Sequence, residues 1–214
     1  QYSVDEAFVD FSGLTNLAEL TQAMVQRIKQ CTGIPVSIGI APNKTLAKIA
    51  SRFAKKYPGY RSCCFIDTDE KRVKALQLTA IEDVWGVGRK TFAKLTAGGV
   101  KTAHDFAQWG VTRVRNCFHK LGEQTWRELN GEHILDLETP AARQSLQHTR
   151  TFKHPITDAA TLHSLLVDFS VQVGIKLRKE RSAALQICVF VATDRFSTQQ
   201  PYVSRLAYHR FEVA

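Results

Sequence analysis

The chain has 214 residues, enough for one large domain or two to three small ones. Lys and Arg outnumber Asp and Glu 29 to 20, a net charge of +9 that favours a polyanionic partner over a merely basic surface. No apolar run approaches membrane-spanning length, so we expect no membrane association. The five cysteines lack C-x-x-C spacing, which excludes the usual zinc and disulfide frameworks and suits reduced thiols in the cytoplasm. Because the chain opens on Gln1 and not on Met, we expect further residues upstream.

The first segment places two adjacent carboxylates, Asp5 and Glu6, in a strand-like run over residues 2–12 that ends at Ser12 and Gly13. Burying either acid without a partner is costly, so their presence needs a reason. A hard divalent cation such as Mg²⁺ takes carboxylate oxygens together with substrate phosphates. In a straight strand the two acids point to opposite faces, so both reach one site only where the strand bends, bulges or begins. The alternative is a strand end whose acids face water.

The next elements follow the order helix, strand, helix, strand. Helical spacing predicts a helix over residues 16–31 that Thr32 and Gly33 close, and a short strand over 35–40. A second helix over 43–56 and a strand over 63–66 complete a small α/β layer. One face of the second helix is apolar and the opposite face is basic, through Lys44, Lys48, Arg52 and Lys55. This basic face is either a solvated surface or a contact for phosphates.

Charged residues 67–78 predict a helix, and the most specific local pattern follows over residues 80–95, with Gly98-Gly99-Val100 and Thr102 behind it. Gly86, Val87 and Gly88 allow a tight turn into a helix whose free N–H groups and positive dipole end can face a phosphate. Arg89, Lys90 and Lys94 add charge. Such a turn binds DNA without reading bases. The alternative is an ordinary connection between two helices.

The pattern stays helical from residue 101 to 137, and Gly131 is expected to cap a helix. A small helical core is predicted from Phe106, Val114, Cys117, Phe118, Leu121, Trp126 and Leu129. Composition predicts a linker over 138–147 with a domain boundary there. The sequence pattern predicts a second α+β unit after the linker. It contains a strand at 147–152, a helix at 158–179 and alternating strands at 185–191 and 202–213. The helix ends on Lys176, Arg178 and Lys179, which either contact a nucleic-acid backbone or belong to a helix that merely covers the sheet.

Together these segments resemble the Y-family translesion DNA polymerases, and UmuC-type members in particular. Ser3-Val4-Asp5-Glu6-Ala7-Phe8 matches the SIDEAF-type motif of that family, and residues 43–51 match its NK-x-LAK-IAS segment. The glycine pattern of residues 83–89 is similar to its helix-hairpin-helix, Asn130-Gly131-Glu132 is similar to the UmuC type, and Arg150-Thr151-Phe152 is similar to its R-S-F entry. The resemblance implies an α+β multidomain fold. Its parts would be a partial α/β palm (1–66), an all-α thumb with the hairpin (67–138), and a linker with a partial βαββ little-finger domain (139–214).

The resemblance also implies chemistry. Asp5 and Glu6 would be catalytic Mg²⁺ ligands, and Lys55, or Lys56 beside it, would contact the triphosphate of the incoming nucleotide. Lys44 and Lys48, the hairpin and the basic end of the last helix would bind primer–template DNA. We expect error-prone DNA-directed DNA synthesis past damaged bases, in DNA repair and the SOS response.

The sequence departs from the family pattern in two respects, and the hypothesis also implies several partners. The third carboxylate of the family and its Tyr/Arg pair do not occur here, so we expect these residues alone to bind DNA with little or no synthesis. A longer protein would use UmuD-like subunits, a sliding clamp and a recombinase filament, in the cytoplasm at the nucleoid. The alternative function is a non-catalytic helix-hairpin-helix DNA-binding module. A nuclease or ligase accessory with the same hairpin would not explain the matches at residues 3–8 and 43–51.

Overall fold

The computed structural model describes residues 3–137 and 143–212, which form two compact units of mixed helix and sheet. The first unit contains the described residues up to 137 and the second those from 143 onward. The linker expected over 138–147 lies partly outside the described residues, because 138–142 belong to neither range.

A small parallel βαβ layer lies near the start of the first unit. Helix α1 spans Leu17–Thr32 and ends at Gly33, whose φ of 73° suits glycine and whose N–H donates to the Lys29 carbonyl. Strand β1 (Ile38–Ile40), helix α2 (Lys44–Lys56) and strand β2 (Cys63–Phe65) follow. β1 and β2 pair in parallel, Ile38 opposite Cys63, so α2 is the crossover between them. All four elements confirm the sequence prediction, although β1 is shorter than expected.

The predicted strand over residues 2–12 is wrong for the described residues 3–12. Residues 3–5 form bends, 6–11 are irregular, and a turn follows at Ser12 and Gly13. The backbone bonds of this segment are local, from Ser3 N–H to the Glu6 carbonyl (3.1 Å) and from Leu14 N–H to the Phe11 carbonyl (3.1 Å). Alternation of side chains is not enough for a strand, because a strand also needs a neighbour that supplies ladder hydrogen bonds.

Helix α2 is fixed firmly against the layer. Its apolar residues Leu46, Ile49, Ala50 and Phe53 are at most 5% exposed, as the periodicity predicts. β1 approaches the helix so closely that a Cβ on Gly39 would lie 2.1 Å from the Ser51 nitrogen. Only glycine permits this approach of strand to helix.

Four further helices follow in the described part of the first unit. They are α3 (Asp69–Leu78), α4 (Arg89–Ala97), α5 (Ala103–Ala107) and α6 (Val111–Leu129), with short 3-10 turns at Pro58–Tyr60 and Ile81–Asp83. Their buried side chains join those of α2 in one continuous hydrophobic core, in which Leu95, Phe106, Val114 and Leu129 are at most 1% exposed. The division of this unit into palm and thumb stays a prediction.

Helix α6 is interrupted at His119, where φ is 55° and ψ is −156°. The interruption changes the helical phase, so Leu121 is 78% exposed and its predicted place in the core is wrong. Phe118 and Trp126 pack against the core from its edge, and Cys117 is half-buried. The helix is capped as predicted by Gly131, whose φ is 94°. The Gly131 N–H donates to the Glu128 carbonyl, and the Glu132 N–H donates to the Arg127 carbonyl.

The second unit contains helix α7 (Ala159–Lys179) and strands β3 (Gln186–Ala192) and β4 (Ser204–Arg210). The strands pair antiparallel, Cys188 opposite Tyr208, and these three elements confirm the prediction, although β4 is shorter than expected and β3 is displaced by one residue. The strand predicted at 147–152 is wrong, because that segment is irregular. It is held instead by side-chain contacts with α7, such as the His148 ring 4.7 Å from that of Phe169.

Candidate functional site

The acid pair, Asp5 and Glu6, lies where the chain bends at residues 3–5. The Ser3 hydroxyl donates to Asp5 Oδ1 over 2.6 Å. This hydrogen bond is the largest cause that lowers the pKa of Asp5 below its usual value, and the charges of Lys48 and Lys55 lower it further. Asp5 is therefore an ionised, solvent-exposed carboxylate at neutral pH.

Glu6 connects the acid pair to the basic face of α2. Its Oε1 lies 2.5 Å from the Lys48 ammonium, and the two side chains are 44% and 26% exposed. The two residues are 42 positions apart in the chain. The acids and the basic helix, which the sequence placed in separate segments, therefore form one cluster.

Phe8 and Asp83 join the residues before α4 to the same cluster. The Phe8 ring lies 5.7 Å from the Trp85 ring, and the Lys44 ammonium stands 5.5 Å from the Phe8 ring centre. Arg52 on α2 forms an ion pair with Asp83 at 2.6 Å. The acid segment, α2 and the chain leading into α4 are thus in contact, through both an aromatic pair and an ion pair.

The predicted phosphate-binding lysines differ in their surroundings. The Lys44 ammonium donates to the Asp136 carbonyl at 2.5 Å. Lys56 stands 5.3 Å over the ring of Tyr57. Lys55 is exposed, and its charge acts on Asp5. Seven residues separate Lys55 from Lys48, so the two lysines lie on nearly the same face of α2.

The donor chemistry of the acid pair fits a magnesium ion. Both acids are exposed carboxylates in a segment without regular secondary structure, and Mg²⁺ is commonly held by one or two carboxylates with water and phosphate oxygens as the other ligands. Within residues 3–137 and 143–212, no group of three or more His, Cys, Asp or Glu side chains is arranged to hold a metal. The acid pair alone would therefore bind a divalent ion weakly, with substrate oxygens supplying the remaining ligands.

The glycine turn, residues 85–88, leads directly into α4. Gly86 has a φ of 90°, a conformation that favours glycine, and Gly88 is the N-cap of α4. Val87 packs against the hydrophobic core and so anchors the turn. The cations that follow, Arg89, Lys90 and Lys94, are all exposed. Free N–H groups of the first helical turn and three exposed cations suit a phosphate contact.

Sequence reasoning missed the residues that fix the start of α2. Asn43 caps the helix by accepting from Leu46 N–H, and its side chain donates to the carbonyls of Glu128 (2.8 Å) and Glu132 (2.9 Å). The Glu128 carboxylate is fully buried beside it. His133 lies between the Pro42 carbonyl (Nδ1–O 3.1 Å) and Asp136 (Nε2–Oδ1 2.9 Å).

The pKa of His133 is raised above its usual value. The hydrogen bond to Pro42 is the largest cause, followed by that to Asp136. Protonation therefore strengthens the attachment of residues 133–136 to the start of α2.

In the second unit, the basic end of α7 forms one wall of a groove with residues 143–147. The Lys176 ammonium donates to the Gln147 carbonyl at 2.7 Å, and Arg143 forms an ion pair with Glu180 at 3.3 Å. Lys179 also lines the groove, and Arg178 is exposed. Cations in the last turn of a helix also stabilise its C-terminus, so this cluster has a structural role as well.

None of the helices in the described ranges is both apolar enough and long enough to cross a bilayer.

Two sequence models of one family match the chain. The model of the impB/mucB/samB family matches residues 1–52, which include the acid pair and the start of α2, and the model of its C-terminal domain matches residues 143–210. Residues 53–142, with Lys55 and the glycine turn, lie between the two matches.

Individual relatives align across that interval. Protein ImpB of Salmonella typhimurium is 34% identical over 98% of this chain and 51% of its own length. Protein UmuC of Salmonella typhimurium strain LT2 is 35% identical over 96% of this chain and 50% of its own length. DNA polymerase IV of Ectopseudomonas mendocina is 31% identical over 73% of this chain and 44% of its own length.

The chain spans about half the length of the curated relatives that it matches. Matches to the family at both ends, and identity above 30% along nearly the whole chain, agree with the resemblance that the sequence motifs carry. The chain therefore belongs to the impB/mucB/samB family, the UmuC-like group of the Y-family polymerases.

Proposed function

We propose that this chain is part of a translesion DNA polymerase and supplies acids, lysines and DNA contacts for DNA-templated nucleotidyl transfer. The observation that carries the proposal is the 2.5 Å contact between Glu6 and Lys48, which brings the acid pair to the basic face of α2. Family membership adds support, because relatives aligned over most of this chain include DNA polymerase IV. The substrates are primer–template DNA and a deoxynucleoside triphosphate.

Each part of the cluster has a distinct role in this function. Asp5 and Glu6 offer carboxylate oxygens to Mg²⁺, which when bound neutralises charge on the attacking and leaving oxygens. Lys55 faces the triphosphate and balances charge that develops on its phosphates. Lys56 is the alternative for that contact.

DNA contacts come from other surfaces. The glycine turn and α4 bind the duplex backbone through N–H groups and exposed cations, without reading bases. Lys48 beside Glu6, and Lys44 one helical turn before it on α2, contact nearby phosphates once these displace their present protein partners. Lys176, Arg178 and Lys179 form a separate backbone contact in the second unit.

We also propose that these 214 residues alone bind DNA but synthesise little or none, since the described part offers only two carboxylates to a metal. Partners of a longer chain would include UmuD-like subunits, a sliding clamp and a recombinase filament. Primer extension with the 214-residue chain tests directly whether it synthesises little or no DNA. Robust Mg²⁺-dependent synthesis by this chain would overturn it.

The roles of the acids are tested by Asp5→Asn and Glu6→Gln in a longer chain that contains these residues and synthesises DNA. Synthesis should fall by about two orders of magnitude or more, while DNA affinity stays within about twofold of the unaltered protein. Lys74→Gln, on α3 and outside every proposed contact, is the control and should change neither quantity.

A non-catalytic DNA-binding module is the second candidate, favoured by the absence of a three-ligand metal group within the described ranges. Under that function Asp5 and Glu6 only hold α2 through Lys48. Synthesis that is unaffected by Asp5→Asn and Glu6→Gln would support the module and contradict the catalytic assignment.

A further inference from the structure

Glu128 is the only acidic side chain that is fully buried in the described part of the chain. Its Oε2 accepts from both the Thr45 N–H (3.0 Å) and the Thr45 hydroxyl (2.6 Å), and its Oε1 accepts from the Leu135 N–H (3.0 Å). A buried carboxylate is costly unless such donors replace its water. The N-terminal end of α2 supplies two of these three donors, both from Thr45, together with the positive end of the helix dipole.

The position of Thr45 relates this contact to the candidate site. Lys48 lies three residues after Thr45, about one helical turn further along α2, and Lys55 lies seven residues after Lys48 on nearly the same face. A rotation or shift of the helix start therefore moves both lysines relative to the acid pair. Because Glu128 belongs to the end of α6, it holds the α2 start from outside the βαβ layer.

We propose that Glu128 is a positioning residue: by holding the first turn of α2, it sets the helix so that Lys48 meets Glu6. That Lys48 and Lys55 then face a triphosphate rests on the function proposed above, whereas the positioning of α2 does not. The Glu128 carboxylate reaches α2 through Thr45, and not through the acids or lysines of the site.

Glu128→Gln separates the effect of the hydrogen bonds of Glu128 from the effect of its side-chain volume. The amide has nearly the same volume but only one acceptor oxygen, so it cannot accept from both the Thr45 side and the Leu135 side. One donor is left without its partner in a buried position, and the helix start is free to move. Thr45→Val should act in the same direction because it removes the hydroxyl. Thr45→Ser keeps the hydroxyl and should therefore behave like the unaltered protein.

Zero-length carbodiimide cross-linking of the 214-residue chain measures the outcome, since it joins a carboxylate to an amine only where the two are in contact. The readout is the yield of the Glu6–Lys48 amide, by mass spectrometry of the digested protein. The pair of Lys71 on α3 and Asp67 just before that helix, at 2.6 Å, is the internal reference. Neither DNA nor nucleotide is present, so the result is independent of whether the proposed polymerase function holds.

In Glu128→Gln and Thr45→Val, the yield of Glu6–Lys48 relative to Asp67–Lys71 should fall by about threefold or more. Leu95→Ala, which destabilises the same core from α4, should leave the ratio unchanged at equal loss of stability. A ratio that stays constant in Glu128→Gln, or that falls equally in Leu95→Ala, would overturn the positioning role. If the ratio falls as expected and a longer chain still shows no dependence of synthesis on Asp5, the proposed function fails while the positioning holds.

Discussion

The rings of Phe8 and Trp85 lie 5.7 Å apart at an interplanar angle of 48°, and they join the segment with the acid pair to the glycine turn. Two parts of the chain that are far apart in sequence, one with candidate metal ligands and one with a candidate DNA contact, therefore share an aromatic contact. The position of the acids and the conformation of the turn are linked by packing as well as by the Arg52–Asp83 ion pair.

A double-mutant cycle should detect this contact. Phe8→Ala and Trp85→Ala each remove the ring pair, and their combined effect on the free energy of unfolding should be smaller than the sum of the separate effects. The expected coupling is about 0.5–1.5 kcal/mol. Chemical denaturation of the four proteins measures it, and a coupling of zero would show that the rings do not stabilise one another.

Gly39→Ala should be strongly destabilising. The added Cβ would lie 2.1 Å from the Ser51 nitrogen and 2.2 Å from the Ala47 carbonyl oxygen, so β1 and α2 must separate. We expect a loss of about 1–3 kcal/mol or more in the free energy of unfolding. Gly59→Ala is the matched control, because nothing lies within 4 Å of its added Cβ, and its effect should stay within about 0.5 kcal/mol. Equal effects in the two variants would contradict the close approach.

DNA binding by the glycine turn should weaken with salt concentration to a degree that reports the number of phosphate contacts. If Lys90 contacts a phosphate, the slope of log affinity against log salt concentration should become smaller in magnitude by about one in Lys90→Ala. The same change should weaken binding equally for DNA of different sequences. Fluorescence anisotropy with two unrelated duplexes measures both effects. Lys74→Ala removes the same charge from α3, and it should leave the slope unchanged if the contact at the turn is specific.

The attachment of His133 should weaken as pH rises. Because its pKa in the folded protein is above the ordinary value, its contribution to stability is fully present below about pH 6.5 and is lost as pH rises through the folded pKa. The effect is small because the side chain is 57% exposed. Denaturation midpoints across this range should show the loss in the unaltered protein but not in His133→Gln. An imidazole titration midpoint at or below about 6.5 would contradict the assignment.

The helices could be predicted from sequence because their burial is periodic. Leu46, Ile49 and Phe53 recur on one face of α2, and that face is buried against neighbours whatever those neighbours are. The same reasoning failed for residues 3–12, where Val4 is 98% exposed. A strand depends on a partner that is often distant in the chain, and alternation within the segment carries no information about that partner.

The candidate site was predictable in its residue types but not in its supports. Asp5, Glu6 and Lys48 belong to segments whose motifs resemble a known family, and the structure brings the last two into contact. Glu128 gave no comparable signal, because its partner Thr45 is 83 residues away and neither residue is unusual in its own segment. Contacts at that separation follow from packing of the whole unit.

The Lys48 ammonium gives Glu6 a counter-ion from within the protein. Without this counter-ion the two neighbouring carboxylates would repel one another. Protein treated with a chelator should consequently keep the bend at residues 3–5 and the contact of Phe8 with Trp85.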